Sequence, residues 1–248
     1  MISIDAVTTR INFKDILETL KYKRDFNIDH PDYFVPDGLC VFEGAQGSGK
    51  TLSAVRYVCN IMRLFPACLL VTNILISDYP FDDKRVFVFK NSDDLMRYEN
   101  GEKGVVYLID EIQLYFNSLQ SKNVSIEEIT EISQQRKQRK HIVCTSQVFG
   151  RLAKPLREQF NTVIHCKNHF GILQWNNIYR QEDIKIDSDY MHVEGKAYKR
   201  FIFIHSVHDY KNYDTYFKVK NIDFNDIKGG ESDIYDRAIL DKRLDDIS

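Results

Sequence analysis

The chain has 248 residues, 43% of them hydrophobic and 28% charged, which is the balance of a globular protein and long enough for one large α/β domain with a trailing extension. A formal net charge of −2 excludes a uniformly basic nucleic-acid coat, so any nucleic-acid contact has to come from a local patch. No run reaches the apolar length that crosses a bilayer, residues 1–10 lack a signal peptide's apolar segment, and the five cysteines have no C-x-x-C spacing, so the expectation is a cytoplasmic chain with reduced core thiols.

Residues 11–24 put Ile16, Leu17 and Leu20 on one helical face behind Phe13, which predicts an N-terminal helix packed on the core. Pro31, Pro36 and Gly38 then punctuate a loop that leads into the apolar run Leu39-Cys40-Val41-Phe42, a buried parallel strand. Directly after it, Gly44-Ala45-Gln46-Gly47-Ser48-Gly49-Lys50-Thr51 fits the phosphate-binding pattern G-x-x-x-x-G-K-[ST]. A helix predicted over 52–64 follows, so the loop can turn successive backbone N–H groups toward a polyphosphate at a helix's positive end. Lys50 is then the side chain for the β- and γ-phosphates, and the Thr51 hydroxyl is a Mg²⁺ ligand.

Ala67 to Asn73 reads as a central parallel strand, 78–84 as a loop, and Arg85 to Phe89 as a further strand; Ser92-Asp93-Asp94 caps a short helix reaching Tyr98. Strand, helix and strand in repetition indicate a mainly parallel sheet with crossover helices. Val105-Val106-Tyr107-Leu108-Ile109 ends in Asp110-Glu111, the pattern in which a strand-end acid binds the Mg²⁺ shell while the next acid orients the attacking water. A polar helix is predicted over 126–138, and His141 to Gln147 forms another buried strand whose end lies at the same edge as the acids. Gln147 there either senses the γ-phosphate, holds the water, or simply ends the strand. The run from Gln134 to His141, with Arg151, Lys154 and Arg157 after it, is the most basic local stretch. It reads as a solvated basic face, as an arginine donated to a neighbour's γ-phosphate, or as a contact with nucleic-acid phosphates.

Asn161 to Cys166 makes an edge or final core strand, and from Phe170 onward short aromatic alternating pieces, including 199–205 and 214–219, suggest antiparallel strands added to the sheet. His165 with His169 has no carboxylate nearby in sequence, and neither that pair nor His205 with His208 has zinc spacing, so no metal is assigned to them. The charge-rich end from Gly229 carries a loose helix around 234–244. Three regions result: a helical extension over 1–37, a nucleotide-binding core over 38–169, and a β-rich extension with a charged tail over 170–248.

With these three strand ends in hand, the chain resembles the FtsK–HerA group of P-loop motor ATPases, in particular Zot-like proteins of filamentous phages and viral genome-packaging ATPases. The resemblance covers about residues 38–167, with an echo at Tyr213-Asp214-Thr215-Tyr216. It implies an α/β P-loop NTPase fold of the RecA/ASCE type, with a central mainly parallel sheet flanked by helices and with added C-terminal antiparallel strands. In this group the strand after the paired acids typically ends in Thr-Gln or Ser-Gln, matched by Ser146-Gln147. A trans-acting arginine lies shortly ahead of that strand, which corresponds to Arg136, eleven residues before Gln147, with Arg139 as second choice. The resemblance further implies ATP and Mg²⁺ as cofactors, a hexameric ring of identical chains, double-stranded DNA as cargo and capsid vertex proteins as partners, in the host cytoplasm or at a packaging vertex. Zot-like proteins usually carry a transmembrane helix after the ATPase domain; none is visible here, which favours a motor with no membrane span of its own. The readings that compete with packaging are a Zot-like extrusion factor for single-stranded DNA and an ATP-dependent switch or scaffold with little turnover.

Overall fold

A computed structural model of the chain describes residues 12–76, 83–116, 132–187, 190–193 and 196–211. It divides into two compact units, residues 1–33 and 34–248. In the first unit, helix α1 (Phe13–Asp29) starts at Asn12, whose side chain accepts the Lys14 N–H. None of its residues is buried, and Phe13, Leu17 and Leu20 are all more than half exposed. The helix therefore forms as read.

The second unit is built on an eight-stranded sheet. Its strands are β1 (Leu39–Glu43), β2 (Leu69–Thr72), β3 (Val86–Val88), β4 (Val105–Ile109), β5 (Lys140–Ser146), β6 (Phe160–His169), β7 (Leu173–Arg180) and β10 (Lys199–Ile204), in the spatial order β10-β7-β6-β1-β5-β4-β2-β3. From β6 to β3 every pairing is parallel, and β7 and β10 add to the other side antiparallel. Strands β8 (Ile184–Asp187) and β9 (Tyr190–Val193) pair separately. The continuous apolar runs are strands buried on both faces, as parallel sheets require. In β4, Val106 and Leu108 join one core with Phe42, Val55, Val58 and Met62. Val105, Tyr107 and Ile109 join the opposite one with Val41, Cys144, Phe149 and Phe160.

Helix α2 (Lys50–Leu64) covers the first of these faces and begins two residues earlier than the sequence pattern indicates. Three short helices follow, α3 (Asp94–Arg97), α4 (Lys154–Arg157) and α5 (Val207–Lys211). Of the helix expected over 126–138, residues 126–131 lie outside the described residues, and 135–139 form turns instead. The expected strand over 214–219, the Tyr213–Tyr216 echo and the tail from Gly229 also lie outside them. All five cysteines are buried thiols. Burial pushes the Cys40, Cys144 and Cys166 thiols far above their usual range, so they are unreactive packing groups.

Candidate nucleotide site

The parallel strands all point their carboxyl ends at one edge, and that edge collects the polar residues that end β1, β2, β4 and β5. From β1 the chain turns at Gly44, where a Cβ would come within 2.8 Å of the Cys166 carbonyl oxygen and 2.7 Å of Ser48 Oγ. Gly49 takes φ +80° and leads straight into α2, so the loop ends on the helix's positive end. Lys50 is buried and its ammonium donates to the Ala45 carbonyl at 3.3 Å, folded back across the loop it belongs to. Ser48 Oγ is buried without a partner, an orphaned hydroxyl of the kind a phosphate oxygen satisfies.

The second half of the site comes from β4. Thr51 Oγ1 donates to Asp110 Oδ1 at 2.9 Å, joining two residues 59 positions apart, and Thr145 Oγ1 donates to the same oxygen at 2.6 Å. Burial pushes the Asp110 carboxyl above its ordinary range, the Glu111 charge adds to this, and the two hydroxyls and the Lys50 ammonium pull it back. A buried carboxylate that is left with only hydroxyl partners suits a divalent cation. Thr51 and Asp110 would hold Mg²⁺, which binds through one or two protein oxygens plus phosphate and water and would neutralise charge on the phosphates. The backbone of Asp110 is clamped by Asn73, which accepts the Asp110 N–H at 2.8 Å and donates to its carbonyl at 3.0 Å.

Glu111 follows with φ +51°, a left-handed conformation that costs a non-glycine residue about 1 kcal/mol or more. Its N–H donates to Thr145 Oγ1 at 2.9 Å, and its carboxylate accepts from Gln147 Nε2 at 2.9 Å and from Gln113. Two amides therefore hold the acid at the mouth of the site, with its charge available to a water.

Loop residues 44–51, Asp110, Glu111 and Gln147 are thus brought together. Arg136 and Arg139 are not. Both precede β5, whose seven residues run the length of the sheet, about 23 Å at 3.3 Å per residue, before reaching Gln147. Arg136 is exposed, whereas Arg139 adopts φ +56° and donates to the Phe34 carbonyl at 2.9 Å. The basic stretch itself needs correcting: Lys140 and His141 are buried in β5, with the Lys140 ammonium on the Leu95 carbonyl at 2.7 Å. Arg157 donates to the Gly150 carbonyl, and Lys154 is exposed beside Glu158. His165, read as lacking a nearby carboxylate, lies 2.6 Å from Glu43 through Nδ1, because adjacent parallel strands bring these two residues into register.

Thr145, Asn73, Gln113 and the Glu43–His165 pair escaped the sequence reading. Thr145 and Asn73 were nonetheless detectable by the signal that found Gln147, a polar residue closing an apolar strand.

The family model described as zonular occludens toxin (Zot) matches residues 80–211, just over half of the chain. The chain belongs to the Zot family. The matched span of this Zot-family chain contains Asp110, Glu111 and Gln147 and leaves the phosphate loop outside it, so that loop rests on its own pattern and geometry. No curated protein matches the sequence. Among solved structures, the chain is similar to the N-terminal domain of zonular occludens toxin from Neisseria meningitidis, at 19% identity over 71% of this chain and 98% of that one, with a TM-score of 0.49. It is also similar to the genome packaging NTPase B204 from Sulfolobus turreted icosahedral virus 2 in complex with ATP-gammaS, at 14% identity over 65% and 98% of the two chains, with a TM-score of 0.46. The sheet order, the helix after β1 and the loop between them make this a P-loop NTPase fold. Among the described residues no helix is long and apolar enough to cross a membrane.

Proposed function

We propose that this chain hydrolyses ATP and, assembled as a ring of identical copies, uses that hydrolysis to move DNA during viral genome packaging. The observation that carries the ATPase reading is the Thr51–Asp110 bond, which closes the phosphate loop onto the acid strand and sets Glu111 beside Gln147 at the same edge. In the reaction a water oxygen bonds to the γ-phosphorus, the bond to the β–γ bridging oxygen breaks, and ADP leaves with that oxygen. Glu111 takes the proton from the water, Gln147 keeps the carboxylate aimed, and Lys50 stabilises the charge on the phosphate oxygens.

The ring rests on Arg136. It is exposed and about a strand's length from its own site, so the γ-phosphate it would reach belongs to a neighbouring copy. A hexamer is the closed arrangement proposed, with DNA passing through a lumen lined by basic groups. A second reading is favoured by the family match: extrusion of single-stranded DNA in filamentous phage assembly.

Steady-state ATPase rates with no DNA, duplex DNA and single-stranded DNA separate the readings. Packaging predicts strong stimulation by duplex, extrusion predicts stimulation by single strands, and absence of turnover under all three conditions defeats the motor in favour of a nucleotide-dependent scaffold.

A further inference from the structure

Strand β7 alternates polar residues on the face it turns toward α2, and two of them, Gln174 and Asn176, are fully buried. Gln174 Nε2 donates to the Ser48 carbonyl inside the phosphate loop at 2.9 Å, across 126 positions of sequence, and to Asn176 Oδ1 at 2.9 Å. Both of its N–H groups are therefore used. Its carbonyl oxygen lies 3.2 Å from His205 Nε2, which donates to it from just beyond β10, so the amide is held in one orientation by three partners. The approach is close enough that a Cβ on Gly49 would overlap the Gln174 side chain, which gives the last glycine of the loop a second reason to be glycine besides its φ.

Resting on the nucleotide-binding reading above, we infer that Gln174 is a positioning residue for the phosphate loop: it fixes the Ser48–Gly49 peptide so that this peptide's N–H faces the bound polyphosphate. The physical step is short. In a trans peptide the C=O and the N–H point in opposite directions, and no peptide of the described chain is cis. Tying the Ser48 carbonyl back to β7 turns the Gly49 N–H away from β7, toward the concave side of the loop where successive N–H groups gather around an anion. Without the tie, that peptide is free to rotate about a glycine, the residue least able to resist rotation. The role is distinct from a general hold on the helix. That hold comes from other contacts, Asn176 with Ser53 Oγ at 3.1 Å and the Arg56–Asp209 ion pair at 2.9 Å, with the Arg56 guanidinium 4.3 Å above the Phe203 ring.

The test compares Gln174→Met, which keeps the shape and loses both donors, with Gln174→Glu, which places an acceptor against the Ser48 carbonyl. Asp209→Asn serves as the control that loosens the C-terminal strands from α2 without touching the loop. Affinity for a fluorescent ATP analogue and for ADP is measured by titration, with the melting temperature of the nucleotide-free protein alongside. Both Gln174 variants are expected to bind about tenfold more weakly, with KM for ATP raised by a similar factor and kcat within about threefold, since Glu111 and Gln147 lie beyond the ends of other strands. Asp209→Asn is expected to lower the melting temperature and leave affinity within about threefold. If Gln174→Met does not fold, Gln174→Glu decides alone. Affinity within about threefold of wild type in a folded Gln174 variant overturns the inference while leaving the nucleotide reading intact, and so does an equal loss in Asp209→Asn. A wild-type chain that binds neither nucleotide removes both.

Discussion

Thr145 is the residue through which β5 controls the acids of β4, and replacing it with valine isolates one hydroxyl. The side chain keeps its shape, but Asp110 Oδ1 loses a 2.6 Å donor and the Glu111 N–H loses a 2.9 Å acceptor. A hydrogen bond to a charged group contributes about 1.5–3 kcal/mol, and leaving a buried donor unsatisfied costs about 1–3 kcal/mol. Taking the lower half of both ranges, Thr145→Val should destabilise the nucleotide-free protein by about 3 kcal/mol, or about 6–12 °C in melting temperature for a domain of this size. Thr145→Ser keeps the hydroxyl and loses one buried methyl, a change of about 1 kcal/mol. Urea and thermal unfolding of the two variants side by side read the difference directly. If Thr145→Val is no less stable than Thr145→Ser to within about 0.5 kcal/mol, the hydroxyl is not bridging the acids and the account of how Glu111 is held in its left-handed conformation fails.

Glu111→Gln should keep ATP binding within about threefold and reduce turnover by at least about a hundredfold, the scale of a lost general base; undiminished hydrolysis would remove Glu111 from the role. Arg136→Ala should be inactive alone and regain hydrolysis when mixed with Lys50→Ala subunits, because each supplies what the other lacks. Full activity of Arg136→Ala alone, with no gain on mixing, would end the shared-site proposal. His141 gives a pH signature: burial lowers its pKa, with Nδ1–H donating to the Gly38 carbonyl at 2.8 Å and Nε2 accepting from the Tyr57 hydroxyl at 3.2 Å. The folded chain therefore holds this imidazole neutral while the unfolded chain protonates it below about pH 6.5. Its contribution is intact above that pH and is lost as pH falls, by up to about 1.4 kcal/mol per unit. Urea midpoints between pH 7.5 and 5.5 should fall more steeply for wild type than for His141→Gln, and parallel slopes would contradict the assignment.

What was legible in the sequence was whatever a short stretch encodes by itself. The loop 44–51 announces its own turn chemistry, and Val105 to Glu111 shows a fully buried strand with acids at its end. The added antiparallel strands after Phe170 followed from period-two alternation. The failures share a cause, which is that a side chain's environment was inferred from its neighbours in sequence. Lys140 sits in a run of cations that looks solvated, yet it is the first residue of an interior strand and its ammonium finds the Leu95 carbonyl.

Strand β7 is the sharpest instance, because the usual consequence of an alternating pattern fails in it. In Leu173-Gln174-Trp175-Asn176-Asn177, the usual rule assigns Gln174 and Asn176 to water and Trp175 to the core. The sheet does the opposite: Gln174 and Asn176 are fully buried and Trp175 is partly exposed. The rule assumes that the covering layer is apolar. Here the covering layer is the loop and the start of α2, which carry the Ser48 carbonyl and the Ser53 hydroxyl, and a backbone that stays open to phosphate on one side is hydrogen-bonded from the other. In this chain the strand behind the loop accordingly carries polar residues on its buried face. The place to look for the loop's support is an apparently inverted strand far along the chain.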